Sequence, residues 1–402
     1  MSGILAGVRV IEVATWTFVP AAGAVLADWG AQVIKIEHPE TGDPQRGLIS
    51  SGIVPTAGGV NYLVEQPNRG KRSLGLDIAH PDGLDVLYRL LETADVFLTN
   101  LLPHSCARLG IDVASVRARN PKVIYARGHG YGVRGEGAER GGYDAAAYWA
   151  QAGIAAAYTS EGGYPPLQRA AFGDIMGGQT IAGGIAGALF RRERTGEPSV
   201  VDVSLLGLGL WNLSPDIVAA GILGAPIPGF DRTDMPNPLT NTYRTADGRF
   251  VFLVFLQADR HWPELCEAME RPDLLTDDRF ADARGRFANR KECIALLDEI
   301  FATRTLAEWQ VRLSRVQGVW GPVQTALEVH DDPQVLANGY LPELKLDDGT
   351  PFRLVANPVQ FDETPPELTP APGHGQHTDE ILLELGLDWD HILALKETGA
   401  LL

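Results

Sequence analysis

The sequence is poor in the features that most quickly assign a protein to a class. It holds three cysteines in 402 residues, Cys106, Cys266 and Cys293, far apart and without CxxC spacing. That excludes a disulfide framework and points to a reducing cytosol, so a cytoplasmic chain is expected. Positive charge is also scarce: 34 Lys and Arg against 51 Asp and Glu give a formal charge of -17. Nucleic-acid binding needs a basic field or stripe, and the sequence has neither. An anionic ligand would need a local basic pocket set against a repulsive overall field. No apolar run is long enough to span a bilayer. The start, MSGILAGVRV, lacks the basic and apolar regions of a signal peptide. The nine histidines show no HxxxH or paired Cys/His spacing, so no metal site is expected. A G-x-S-x-G elbow is missing too, and with it the usual sign of a serine hydrolase.

What is present reads as a globular α/β protein. Apolar residues make up 45%, and the 45 Gly and 27 Pro are spread along the chain rather than clustered. The length favours two domains. GVRVIEVA (7–14) is a β-branched, apolar strand; PAAGAVLADWGA (20–31) is a helix; QVIKIEH (32–38) is a second strand. Strand, helix and strand in about thirty residues form a βαβ unit and therefore a parallel sheet. Further strands are read at 71–78, 95–100 and 121–130, with a helix at 80–94. Such alternation predicts a doubly wound domain that binds ligands at the carboxyl ends of its strands. A long helix is predicted over 175–196, ending at Gly196, then a strand over 198–206 and a linker over 222–240. NTYRTADGRFVFLVF (241–255) predicts a hairpin turning at Asp247-Gly248, followed by helices in a small α+β unit.

Candidate chemistry is sparse. Gly130, Gly132 and Gly135 spell GxGxxG after a strand, but EGAERGG follows, which cannot supply the helix a pyrophosphate needs. Arg69, Lys71 and Arg72 gather in NRGKRS, either as a solvated loop or, with Arg46 and Arg108, as a local positive field for a phosphorylated ligand. Asp174 in FGDIMGGQT stands where the long helix begins, and by its local sequence it reads first as a cap and only second as a reactive carboxylate. Asp144 in GGYDAAAYWAQAG stands in the same way at the start of another helix.

Nine phrases in register resemble the family III CoA-transferases, the group that includes formyl-CoA transferase, the carnitine CoA-transferase and α-methylacyl-CoA racemase. Among them are LAGVRVIEVA, LADWGAQVIKIEHPETGD, NRGKRSLGLDI, ADVFLTNLLPHSCARLG, GGYDAAAYWAQAG, FGDIMGG and GHGQHTDEILLELGL. The resemblance implies that Asp174 is the catalytic nucleophile. It also implies CoA contacts at Thr17, His38, Lys71, Arg72, Leu76, Asp77, Asn100 and Arg108, with Tyr143 and Asp144 nearby. At positions 17 and 38, where formyl-CoA transferase has Gln and Arg, this chain has Thr and His. Where the racemase has GHD this chain has GYD, with Tyr143, which lacks the second base that racemisation needs. An acyl-CoA:carboxylate CoA-transferase is therefore expected, with CoA as substrate and no tightly bound cofactor. The alternatives are a racemase-like enzyme, or a protein that binds CoA thioesters without turnover. The resemblance further implies a Rossmann-like large domain (1–221 and 331–402), a small domain (241–330) and an interlocked homodimer. Acyl selectivity is expected from segments 48–62 and 158–168 and from the small domain.

Overall fold

The computed structural model describes residues 3–52, 58–160 and 162–402. Residues 53–57 and 161, within the two segments expected to carry selectivity, lie outside the described residues. The chain forms two compact units: Met1–Ala157, Pro166–Ile227 and Pro333–Leu402 make one, Tyr158–Pro165 and Pro228–Asp332 the other.

The larger unit is built on a six-stranded sheet: β1 (Arg9–Val13), β2 (Gln32–Glu37), β3 (Arg72–Gly75), β4 (Val96–Thr99), β5 (Ile124–His129) and β6 (Val200–Ser204). The order is β3-β2-β1-β4-β5-β6 and every pairing is parallel. This Rossmann-like order reverses direction between β1 and β4, where a crevice opens at the carboxyl ends of the strands. The strands are largely apolar on both faces because both faces are covered, with Glu12, Lys35 and Glu37 as buried exceptions on β1 and β2. Along β4 and β5, Val96, Leu98, Ile124 and Ala126 face one core, and Phe97 and Tyr125 the other. The first core lies under the helices Phe18–Asp28 and Phe172–Thr195; the second lies under Pro81–Glu92 and the C-terminal helices Thr378–Glu384 and Trp389–Glu397.

β3 and β6 end earlier than the sequence pattern predicts. β3 stops at Gly75, leaving Leu76 in an isolated bridge with Leu401. β6 stops at Ser204, because the Ser204 hydroxyl accepts from the Gly207 N–H and starts the helix Leu205–Asn212. Leu205 and Leu206, read as strand, are therefore helical.

The paired glycines of FGDIMGG let two helices touch. A methyl group at Gly177 would lie 2.3 Å from the Phe18 ring, and one at Gly178 would lie 2.5 Å from Ala21 Cβ. Glycine there brings the long helix (Phe172–Thr195) against the first helix (Phe18–Asp28) backbone to backbone. Asp174 precedes Gly177 and Gly178 by three and four residues, so it shares their face and lies toward the start of the first helix.

The smaller unit contains the hairpin β7 (Thr240–Arg244) and β8 (Phe250–Val254), joined antiparallel through a turn with Gly248 at φ 76°, and β9 (Trp320–Pro322). Helices Ala258–Ala268, Arg290–Phe301 and Leu306–Leu313 pack on it around Trp262 and Trp309. Thr305 and Glu308 form a reciprocal capping box at the last of these.

Candidate functional site

A cleft of about 330 Å³ opens at the carboxyl ends of β1, β2 and β3. Its wall includes Val13–Thr15, Ile36–His38, Leu76–Ala79, Leu101 and Leu109. The structure thus brings His38, Leu76 and Asp77, three of the CoA contacts implied by the resemblance, to the wall of one cleft. Asn100 borders them and clamps the crevice: its Nδ2 donates to the Thr15 carbonyl at 2.7 Å, and its Oδ1 accepts from the Thr15 N–H at 3.2 Å. Asp77 is held by its own turn, accepting from the Ala79 N–H at 2.9 Å. Arg108, at the end of the helix Pro103–Arg108, is exposed and has no ion-pair partner among the described residues. Its chain neighbour Leu109 belongs to the wall.

The rest of the basic cluster is placed otherwise. Lys71 is fully interior, with its Nζ 2.8 Å from both Glu12 carboxylate oxygens, 2.8 Å from the Pro20 carbonyl and 3.1 Å from Asn68 Oδ1. Burial pulls its pKa down to about 8, against the opposing pull of Glu12. Arg69 pairs with Asp28, Arg72 with Glu380 and Glu384, and Arg46 with Glu37. The expected positive field therefore reduces to Arg108. The three cations of NRGKRS are neutralised by acids far away in the sequence, which adjacency could not reveal, and Arg46 by Glu37 nine residues before it.

This internal network includes residues that the sequence reading passed over. Lys35 pairs with Asp43 at 2.9 Å and lies 3.4 Å from Glu12. Asp43 accepts from the N–H groups of Trp16 and Gln45, and Thr17 donates its hydroxyl to Gln45. The Asp43-Pro44 pair, a common turn start, was the available signal. The network fixes the loop between β1 and the first helix, where Trp16 adopts φ 67°. It also leaves the Thr17 side chain committed. Gly23 makes room for the Glu12–Lys71 pair, since a methyl group there would meet Glu12 Oε2 at 2.0 Å.

The same loop connects the cleft to Asp174. Thr15 lines the cleft, Trp16 meets the Tyr143 ring edge to face at 5.8 Å, and Phe18 packs on Gly177. Asp174 is not a helix cap. The long helix starts at Phe172, three residues before the sequence pattern indicates, and the cap position is Ala171 at φ 60° with no side-chain bond. The capping carboxylate comes instead from Asp144. Its Oδ2 accepts from the Gly173 N–H at 3.3 Å and from Gln168 Nε2 at 2.6 Å, and its Oδ1 accepts from the Ala145 N–H at 2.8 Å. Gln168, in a loop without a sequence signal, was missed.

Asp174 is left with no hydrogen-bond partner among the described residues. Burial first, and the like charge of Asp144 second, push its carboxyl up to about 7. The first helix starts without a side-chain cap, and the N–H groups of Thr17, Phe18 and Val19 have no acceptor among the described residues. The site thus combines an uncommitted carboxylate with unpaired backbone donors at helix N-termini, where developing negative charge is stabilised. Such an arrangement suits nucleophilic attack by a carboxylate with an oxyanion nearby. No group of potential metal ligands occurs among the described residues.

Comparison with known proteins gives a consistent match. The model of CoA-transferase family III matches residues 5–378. The chain is 31% identical over 396 residues to (R)-2-hydroxy-4-methylpentanoate CoA-transferase of Clostridioides difficile, covering 98% of each chain. It is 31% identical to cinnamoyl-CoA:phenyllactate CoA-transferase of Clostridium sporogenes, covering 98% of this chain and 97% of that one. A crystal structure of a CaiB/BaiF family protein from Brucella suis superposes with a TM-score of 0.83 at 28% identity, covering 96% of this chain and all of the other.

Proposed function

The chain belongs to CoA-transferase family III, an enzyme family that acts on CoA thioesters, and from that premise we propose that it exchanges CoA between an acyl-CoA and a free carboxylic acid with Asp174 as nucleophile. The observation that carries the reading is the unpaired Asp174 carboxylate, held at a helix start and relieved of capping by Asp144.

The chemistry is balanced without an added base. The Asp174 carboxylate attacks the thioester carbonyl; a C–O bond forms, the C–S bond breaks and CoA leaves as thiolate. The products are an acyl–aspartyl anhydride and CoA. The thiolate then attacks the aspartyl carbonyl, forming an aspartyl-CoA thioester and releasing the donor acid. The acceptor carboxylate runs the two steps in reverse. Each tetrahedral oxyanion is stabilised by backbone donors of the kind free at Thr17, Phe18 and Val19. The CoA nucleotide occupies the cleft walled by His38, Leu76 and Asp77, with Arg108 toward a phosphate. The scaffold at Glu12, Lys71 and Asp43 holds the connecting loop.

The working form in this reading is an interlocked homodimer. The helix Ser214–Leu223 buries none of its residues, and Trp211 and Ile222 are 77% and 80% exposed. No single described helix is long and apolar enough to cross a membrane, and an exposed apolar surface of this kind fits a second copy. Light scattering checks the dimer.

The deciding experiment is a donor–acceptor matrix followed by mass spectrometry of the protein. It begins with the 2-hydroxy and phenyl-bearing acids for which the two relatives are named. Exchange, with hydroxylamine-sensitive mass on Asp174, is the expected result; full exchange by Asp174→Ala overturns the reading. Solvent deuterium entering a 2-methylacyl-CoA would favour the racemase-like alternative. Binding of thioesters without exchange would favour a protein without turnover.

A further inference from the structure

We propose that Asp144 is a positioning residue that drives the covalent steps: its fixed negative charge beside Asp174 disfavours the free carboxylate and favours every uncharged acylated form of it. The inference rests on Asp174 being the nucleophile and goes beyond it.

The geometry is specific. Asp144 sits at the start of the helical turn Ala145–Gln151 and is itself buried. Three donors hold it: the N–H groups of Ala145 and Gly173 and the Gln168 amide. Gly173 is the chain neighbour of Asp174, so the two carboxylates are anchored to the same turn of helix. The surroundings offer no compensation. The preceding turn supplies Tyr143, Asp144 and Tyr148. The first helix contributes Thr17 and Phe18, and the long helix carries no charged residue between Asp174 and Arg191. Arg169, in the loop before the long helix, is exposed. Of these, Asp144 is the one whose charge acts on Asp174.

The consequence follows from charge balance. Conversion of the Asp174 carboxylate and an acyl-CoA into the aspartyl-CoA thioester and a free acid moves one negative charge from the protein into solution. The like charge of Asp144 resists an ionised Asp174 as much against its thioester as against its protonated acid. The Asp144 charge therefore adds, beside burial, to two observables at once: the pKa of Asp174 and the equilibrium amount of adduct. Burial alone would leave both in place after Asp144 is neutralised.

The test is Asp144→Asn, which keeps an oxygen for the Gly173 N–H and removes the charge. The acid limb of the rate profile is expected to move down by about one pH unit, and the aspartyl-CoA adduct, at fixed donor and free acid, to fall by about the same factor, tenfold. A variant whose acid limb stays in place overturns the proposal, even if its activity or melting temperature drops, because lost capping alone would do that. If Asp144→Asn does not fold, Asp144→Ser, neutral and a good cap, serves the same comparison. Independently, ¹³C NMR of the wild-type protein, with Asp174→Asn to assign the signal, should show that carboxyl titrating near 7; an ordinary carboxylate value also overturns it. If the wild-type protein forms no adduct on Asp174 at all, the nucleophile reading fails instead, so the two failures are distinct.

Discussion

Around Glu12, each buried carboxylate meets a cation: Glu12 holds Lys71, Asp43 holds Lys35, and Glu37 holds Arg46. At the start of the long helix, Asp144 accepts from the N–H of Gly173, the residue before Asp174, and neither carboxylate has an ion-pair partner among the described residues. Both groups belong to the same Rossmann-like unit, yet the environments oppose each other. Arg46 and Lys35 hold the Glu37 carboxyl down at about 2 despite its burial, whereas Asp174 is pushed up to about 7. The first group is a scaffold, because a buried charge that finds its partner stays fixed. The second leaves the Asp174 carboxylate without a hydrogen-bond partner among the described residues, so in the proposed mechanism its lone pairs are free for a substrate carbonyl.

The largest predicted effect strikes the second group. Asp174→Asn should lower exchange by about 10⁴-fold or more, as removal of a covalent nucleophile does, while CoA binding measured by calorimetry persists. The same variant should be the more stable protein at pH 8. The folded carboxyl titrates near 7 and the unfolded one near 3.8. Below the lower value both states are protonated and nothing is lost. As pH rises toward 7 the unfolded chain ionises first, so the wild-type fold loses stability that the amide keeps. Thermal melts at pH 4 and pH 8 check this; an equal gain at both would contradict the assigned titration.

Lys71→Met tests the scaffold. It strands Glu12 without its nearest cation, so a loss of about 3–5 kcal/mol is expected by denaturant unfolding. If Lys71 served a ligand instead, stability would hold and CoA affinity would fall.

Gly178→Ala probes the contact that places Asp174. The added methyl group meets Ala21 Cβ and the Ala22 backbone, so the two helices must part at a cost of about 1–3 kcal/mol, with reduced exchange. Gly187→Ala, farther along the same helix with nothing near its Cβ, is the control and should raise stability by about 0.5–1 kcal/mol, as alanine does in place of glycine inside a helix.

Arg108→Gln should have the smallest effect. An exposed charge contributes about 1 kcal/mol or less, so CoA should bind a few-fold more weakly at low salt, and the difference should shrink as salt rises.

The fold was legible because its signals are local. Apolar strands alternating with helices betray a parallel sheet before any contact is known, and GVRVIEVA and QVIKIEH name β1 and β2 directly. The failures lie where a local signal has two meanings. Leu205 and Leu206 suit strand or helix equally, and the Ser204 cap decided for the helix. In NRGKRS the charges are visible, but their acidic partners, Asp28, Glu12, Glu380 and Glu384, are 41, 59, 308 and 312 residues away.

The sequence by itself determined the order of elements, the glycines that let the helices touch, the family and the identity of Asp174 as a candidate. These follow from propensity, periodicity and motif register, which act over a few residues or along an unbroken chain. Only the tertiary structure decided what Asp174 does with its lone pairs. Its capping role is taken by Asp144, thirty residues earlier, and among the described residues no cation pairs with either carboxylate. A carboxylate's reactivity depends on which charges and donors surround it in space, and that neighbourhood exists only once the turn at Asp144 has folded against the start of the long helix.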